Sequence, residues 1–168
     1  AGAQIVNDIK GLRTPEGGWN EPLARLVAQR GAPLVLMHNR RAQASAGALG
    51  GHYRSVEYAD LLGEIIAELR AAVAYAQAHG IARERIVVDP GIGFGKAPAQ
   101  NLELVRRLAE LRALGLPLLV GASRKSFIGL PLGLPPHERD EGTAAVTALA
   151  VAAGADIVRV HNVQMNLR

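Results

Sequence analysis

The sequence predicts an α/β fold, five parallel strands with intervening helices forming part of a (β/α)8 barrel, and three observations point there. Short apolar runs rich in β-branched residues lack the polar alternation of a half-exposed sheet, which marks buried parallel strands. Patterns of period near 3.6 separate these runs and read as helices. The alternation continues through all 168 residues.

In chain order the strands are expected over residues 4–8, 34–38, 86–89, 118–121 and 157–161, with helices over 21–30, 58–79, 101–114 and 142–153. Gly31, Gly80, Gly115 and Gly154 follow the helices, where a left-handed C-cap is expected. Pro33 and Pro117 open strands, where a missing N–H costs little. The 168 residues fall short of the roughly 250 of a closed eight-stranded barrel. The chain enters its first strand at once and stops a few residues into a helix at 164–168, so a segment of something larger is expected.

Composition narrows the chemistry. There is no cysteine, which removes disulfides, thiolate catalysis and cysteine-based zinc sites and fits a reducing cytoplasm. No apolar run reaches the roughly 18 residues of a membrane span, and Ala1-Gly2-Ala3 does not begin a signal peptide. The net charge of +4 is spread among acids along helices, as in Glu103-Leu-Val-Arg-Arg107, with no aromatic and basic strand pattern. Neither a membrane nor nucleic acid is therefore an expected partner; a small anionic substrate makes better use of the cations.

The connections show which end of the strands carries the chemistry. Helix-to-strand links are short, whereas the strand-to-helix links over 39–57, 90–100 and 122–141 are long. In barrels and open α/β sheets, sites lie at strand C-termini. There each strand ends in polar residues that are costly to bury alone: Asn7-Asp8, His38-Asn39, Asp89, Ser123-Arg-Lys-Ser126, and Arg159 with His161.

Three motifs stand out. Asp89-Pro-Gly-Ile-Gly-Phe-Gly-Lys96 has alternating glycines that allow close backbone approach to a ligand, and an aspartate able to accept from a planar amidine-like edge. It is not a phosphate-binding loop, because Pro90 stands at the first glycine position and Ala97 follows the lysine. Val120-Gly-Ala-Ser-Arg-Lys-Ser126 runs a strand into two cations, unfavourable at a helix start unless they bind a carbonyl, phosphate or carboxylate. Arg159 and His161 share one side of the last strand, where an inward arginine needs an anion or a π-face.

Together, DPGIGFGK, GASRKSFIG and VRVHNV, preceded by Ile5-Val-Asn-Asp-Ile9 and Leu34-Val-Leu-Met-His38, resemble the dihydropteroate synthase family of the folate pathway. The resemblance implies one pterin-binding barrel domain over residues 1–168, equivalent to strands four to eight, without the first three βα units and most of the last helix. It implies transfer of 6-hydroxymethyl-7,8-dihydropterin from its diphosphate to p-aminobenzoate, in a cytoplasmic homodimer of a kind that sulfonamides target. By the same resemblance, Asn7 and Asp89 hold the aminopyrimidine edge with Met37 packed nearby, Lys125 contacts the pterin carbonyl and ring nitrogen, and Arg159 covers the ring. Arg159 and His161 hold the diphosphate, while Phe94, Lys125 and Ser126 line the p-aminobenzoate side. Asp89, Lys125, Arg159 and His161 are thus the expected catalytic set. Magnesium is the implied cofactor, with no metal ligand in this chain; the isolated chain is expected to be inactive because its diphosphate site and loops are incomplete.

Two departures from the family pattern are Asn162, commonly Asp, and Asn39-Arg40-Arg41 in place of a frequent Met-x-Gly. The alternatives are a methyltetrahydrofolate-dependent methyltransferase, sharing the Asn7 and Asp89 contacts, and a non-catalytic partial barrel needing a partner to cover its edges.

Overall fold

The computed structural model describes residues 2–40 and 57–167. Residues 41–56, most of the loop expected at 39–57 and including Arg41, lie outside the described residues, as do Ala1 and Arg168. Among the described residues five parallel strands are present, four of them shorter than the apolar runs that announce them and one, over 86–89, as expected. Strands β1 (Val6–Asp8), β2 (Leu34–Met37) and β3 (Ile86–Asp89) form one sheet in that order, with Val6 opposite Leu34 and Met37 opposite Asp89. Strands β4 (Leu119–Val120) and β5 (Ile157–Val158) form a second sheet. A parallel bridge between Val88 and Leu118, with Val88 N–H donating to Pro117 O at 2.9 Å, joins the two, so the strands lie side by side in sequence order.

The four expected helices are α1 (Glu21–Arg30), α2 (Leu61–Ala78), α3 (Pro98–Arg106) and α5 (Asp140–Ala152). Asn20 caps α1 by accepting from Leu23 N–H at 3.1 Å, Pro22 fits its first turn, and Gly31 closes it at φ 56°. The helix read over 101–114 is divided: α3 ends at Arg106, and a 3-10 helix runs from Leu108 to Leu114. At the junction Arg107 forks between Glu103 and Glu110, at 2.8 and 2.7 Å.

Two more helices are α4 (Ser126–Leu132) and α6 (Val163–Asn166), the latter at the start of the helix expected over 164–168. The first corrects the reading of 122–141 as a plain loop: it buries Phe127 and Ile128 against the core and ends at Gly133. Its stretch contains Pro131 and Gly129, which hide a helical signal.

The core lies between β2–β3 and the helices, with Leu34, Leu36, Ile86 and Val88 packed against Leu62, Ile65 and Leu69 of α2. The expectation that all five strands are buried is corrected at the margins. Among the described residues β1 pairs only with β2 and β5 only with β4, and Asn7 and Ile157 are exposed. An apolar groove of about 640 Å³, lined by Ile5, Val35, Leu119, Ile157 and Leu167 among others, runs along this side.

Candidate active site

Strands β1, β3, β4 and β5 lead into polar residues that gather at one rim. Just past β5, Arg159 reaches across to two strands of the first sheet. Its Nη1 donates to Asn7 Oδ1 of β1 and its Nη2 to Asp89 Oδ2 of β3, each at 3.1 Å. Asp89 is 1% exposed, and its other oxygen accepts from Gly91 N–H at 2.8 Å. A carboxylate so enclosed needs partners, and Asp89 has a guanidinium and a backbone N–H.

Lys125 approaches from the other sheet. It is the residue before α4, and its side chain leaves the helix start to donate to the carbonyl of Ile92, with Nζ 4.7 Å from the centre of the Phe94 ring. Burial pushes its ammonium down to about 8, with Asp89 opposing that shift and Arg159 adding to it. Arg124, in the left-handed region at φ 58°, is turned away by Asp140, which it meets at 2.7 and 3.0 Å. The two cations are therefore not crowded on a helix N-terminus. His161 is fixed by Ser123, whose Oγ lies 2.8 Å from Nδ1 and accepts from the His161 N–H at 3.1 Å.

Phe94, Gly121, Ser123, Lys125, Arg159 and His161 enclose a cavity of about 380 Å³. A neighbouring space of about 720 Å³ shares Phe94, Lys125 and His161 and adds Ser126, Arg124 and Arg139. Of the eight expected residues, Phe94, Lys125, Ser126, Arg159 and His161 line these two spaces, and Asn7 and Asp89, which line neither, join them through Arg159. Met37 lines neither cavity: it is buried at the end of β2, under the Gly91 turn.

The glycine-rich turn does something other than expected at its first glycine. Gly91, at φ 66°, presses on the protein's own backbone: a Cβ there would stand 1.8 Å from His38 O. The turn is held from below by residues that sequence reasoning gave no role. Lys96, 1% exposed, donates to Gly91 O at 3.0 Å and Phe94 O at 3.3 Å, and lies 2.9 Å from His38 Nδ1. Three acceptors match the three protons of an ammonium, so His38 accepts at Nδ1 and carries its own proton on Nε2. That nitrogen is 3.1 Å from Glu68 Oε2, in ion-pair range although not aligned as a hydrogen bond. Arg40 closes the network on Glu64 and Glu68.

Burial drives these groups from their ordinary values. It lowers Lys96 to about 7, against the pull of Asp89, and with Lys96 beside it lowers His38 to about 4. Burial alone would raise Glu68, but Arg40 and His38 beside it bring it down to about 2. The signal for Lys96 was its place in the motif; a lysine is rarely buried, which hides the role.

The model of the pterin binding enzyme family matches residues 1–161. The chain belongs to the pterin-binding enzymes. Among curated members, it is 46% identical to the dihydropteroate synthase of Synechocystis sp. over 98% of this chain and 53% of that protein. It is 40% identical to the dihydropteroate synthase of Bacillus subtilis over all of this chain and 53% of that one. Among solved pterin-binding enzymes, the dihydropteroate synthase of Clostridium difficile in the presence of pteroic acid superposes with a TM-score of 0.85 at 39% identity, over 99% of this chain and 57% of that one. That of Xanthomonas albilineans with 4-aminobenzoic acid gives 0.84 at 35% identity, over 99% and 55%. The chain thus spans about half the length of these family members.

Proposed function

We propose that the protein carrying this chain is a dihydropteroate synthase, joining 6-hydroxymethyl-7,8-dihydropterin diphosphate to p-aminobenzoate with release of diphosphate. The observation that carries the reading is the single rim on which Arg159 meets Asn7 and Asp89 beside a cavity walled by Phe94, Lys125 and His161. One side offers acceptors to an aminopyrimidine edge, and the other offers cations to an anionic tail. The relatives named above are synthases, and nothing found favours the methyltransferase.

In this reading the five strands are one part of a (β/α)8 barrel; their parallel order and their likeness to synthases over about half of those chains support it. Asn7 and Asp89 orient the pterin, and Phe94, Lys125 and Ser126 place the arylamine for in-line attack on the pterin methylene. As the C–O bond breaks, charge grows on the diphosphate, and Arg159 and His161 supply the cation and the imidazole that receive it. The C–N bond forms and the amine loses a proton, so no protein nucleophile takes part. Magnesium belongs to the reading by resemblance. Among the described residues no three His, Asp, Glu or Cys donors gather to hold a metal, and no step here passes through one.

A cytoplasmic, homodimeric enzyme is part of the same reading; no helix among the described residues is long and apolar enough to cross a membrane. Full-length protein given both substrates is expected to yield dihydropteroate and diphosphate one to one, while the isolated chain gives no turnover. Pterin binding without consumption of the diphosphate ester would sink the reading.

A further inference from the structure

Arg159 spends its guanidinium on the two acceptors that the proposed reading assigns to the substrate. Its two terminal nitrogens take Asn7 Oδ1 and Asp89 Oδ2, one each. The chain is built to let it lie there. The Arg159 N–H is pinned to Val120 O at 2.9 Å, and Gly121 next along leaves β4 without a side chain. A Cβ at Gly121 would stand 2.6 Å from Nη2 and 3.2 Å from Cζ, so any larger residue would push the guanidinium off.

A guanidinium is a planar carbon bearing three nitrogens, and the aminopyrimidine edge of a pterin is the same arrangement set in a ring. Acceptors spaced for one are spaced for the other, so the two cannot occupy Asn7 and Asp89 together. Nor is Arg159 locked in place: its side chain is 44% exposed and borders the cavity that also holds Lys125 and His161.

We infer that Arg159 is a specificity-determining residue that competes with the pterin edge for Asn7 and Asp89, and that the ligand's anionic tail receives it once displaced. The inference rests on the pterin reading and goes beyond it. A pterin with a diphosphate tail exchanges one ion pair of Arg159 for another. A pterin without the tail must break the Arg159–Asp89 pair and offers the cation only its ring face in return. The site thereby rejects tail-less pterins by a cost built into the protein, and the two halves of the ligand bind cooperatively.

The test is calorimetric titration of the full-length protein with 6-hydroxymethylpterin and, separately, with its diphosphate ester. Arg159→Met is expected to bind the tail-less pterin about fivefold more tightly, the scale of a partly exposed ion pair, and the ester about tenfold or more weakly. Arg159→Lys keeps the charge but loses the two-pronged fork, so the tail-less pterin again tightens while the ester loses less than in Arg159→Met. Weakening of both ligands by Arg159→Met, or an unchanged affinity for the tail-less one, overturns the inference. Asp89→Asn separates the underlying reading: if that variant binds both pterins as well as the parent does, the site is not where the pterin edge sits, whatever Arg159 does.

Discussion

Asp89→Ala is expected to lower kcat/KM of the full-length protein by about 10²–10³-fold and to abolish measurable pterin binding, on the scale of breaking a buried charge pair. The carboxylate is almost wholly enclosed and has two protein partners, Arg159 and Gly91 N–H. Its loss leaves the aminopyrimidine edge without its charged acceptor and frees the turn that carries Phe94. Asp89→Asn separates these effects. The amide can still accept from Gly91 N–H, but its NH₂ faces Arg159 donor to donor, so the turn survives while binding falls. Steady-state kinetics and titration of both variants check this; an Asp89→Asn enzyme with parental kcat/KM would contradict it.

Lys96→Ala is expected to be the most destabilising single change beneath the site, by about 3–5 kcal/mol, because it removes a buried cation from partners that keep their charge or lone pairs. His38 Nδ1, Gly91 O and Phe94 O would all lose the Lys96 ammonium, and the space it fills would be left empty. The pH dependence identifies the cause. The folded pKa of Lys96, about 7, lies below the 10.5 of an unperturbed lysine, so between those values the unfolded chain binds more protons and stability rises with pH. Lys125 adds a slope of the same sign above about 8. Thermal melts of the parent should therefore climb from pH 7 toward 10, and those of Lys96→Ala should climb less. Equal slopes in the two proteins would mean that the ammonium is not buried as described.

Much of this architecture is legible in the sequence because burial on both faces writes itself as unbroken apolar runs. Leu34-Val-Leu-Met37 and Ile86-Val-Val88 are such runs, and both are strands in the core. The same logic overstates 4–8 and 157–161, because β1 and β5 each have one strand neighbour among the described residues and composition does not record what lies beside a strand. Helix α4 escapes notice since seven residues containing Pro131 carry too little periodicity to register.

The site was partly visible for a different reason. Polar residues at the ends of apolar strands need partners, and Asn7, Asp89, Lys125 and Arg159 all have them at one rim. What they touch could not be read. Arg159 and Asn7 are 152 positions apart, and their contact depends on how the strands line up. Lys96 and His38 are 58 positions apart, brought together by the β2–β3 register and a turn that presses Gly91 onto His38 O. Lysine usually signals surface, so the brace beneath the turn had no signature beyond its place at the end of a motif.

The most direct measurement is a crystal structure of the full-length protein with the pterin diphosphate bound. The account predicts the ring edge against Asn7 and Asp89, the ring carbonyl beside Lys125, and the diphosphate beside Arg159 and His161, with Arg159 released from Asp89. A pterin bound at any other place, with the Arg159–Asp89 pair intact, would contradict it.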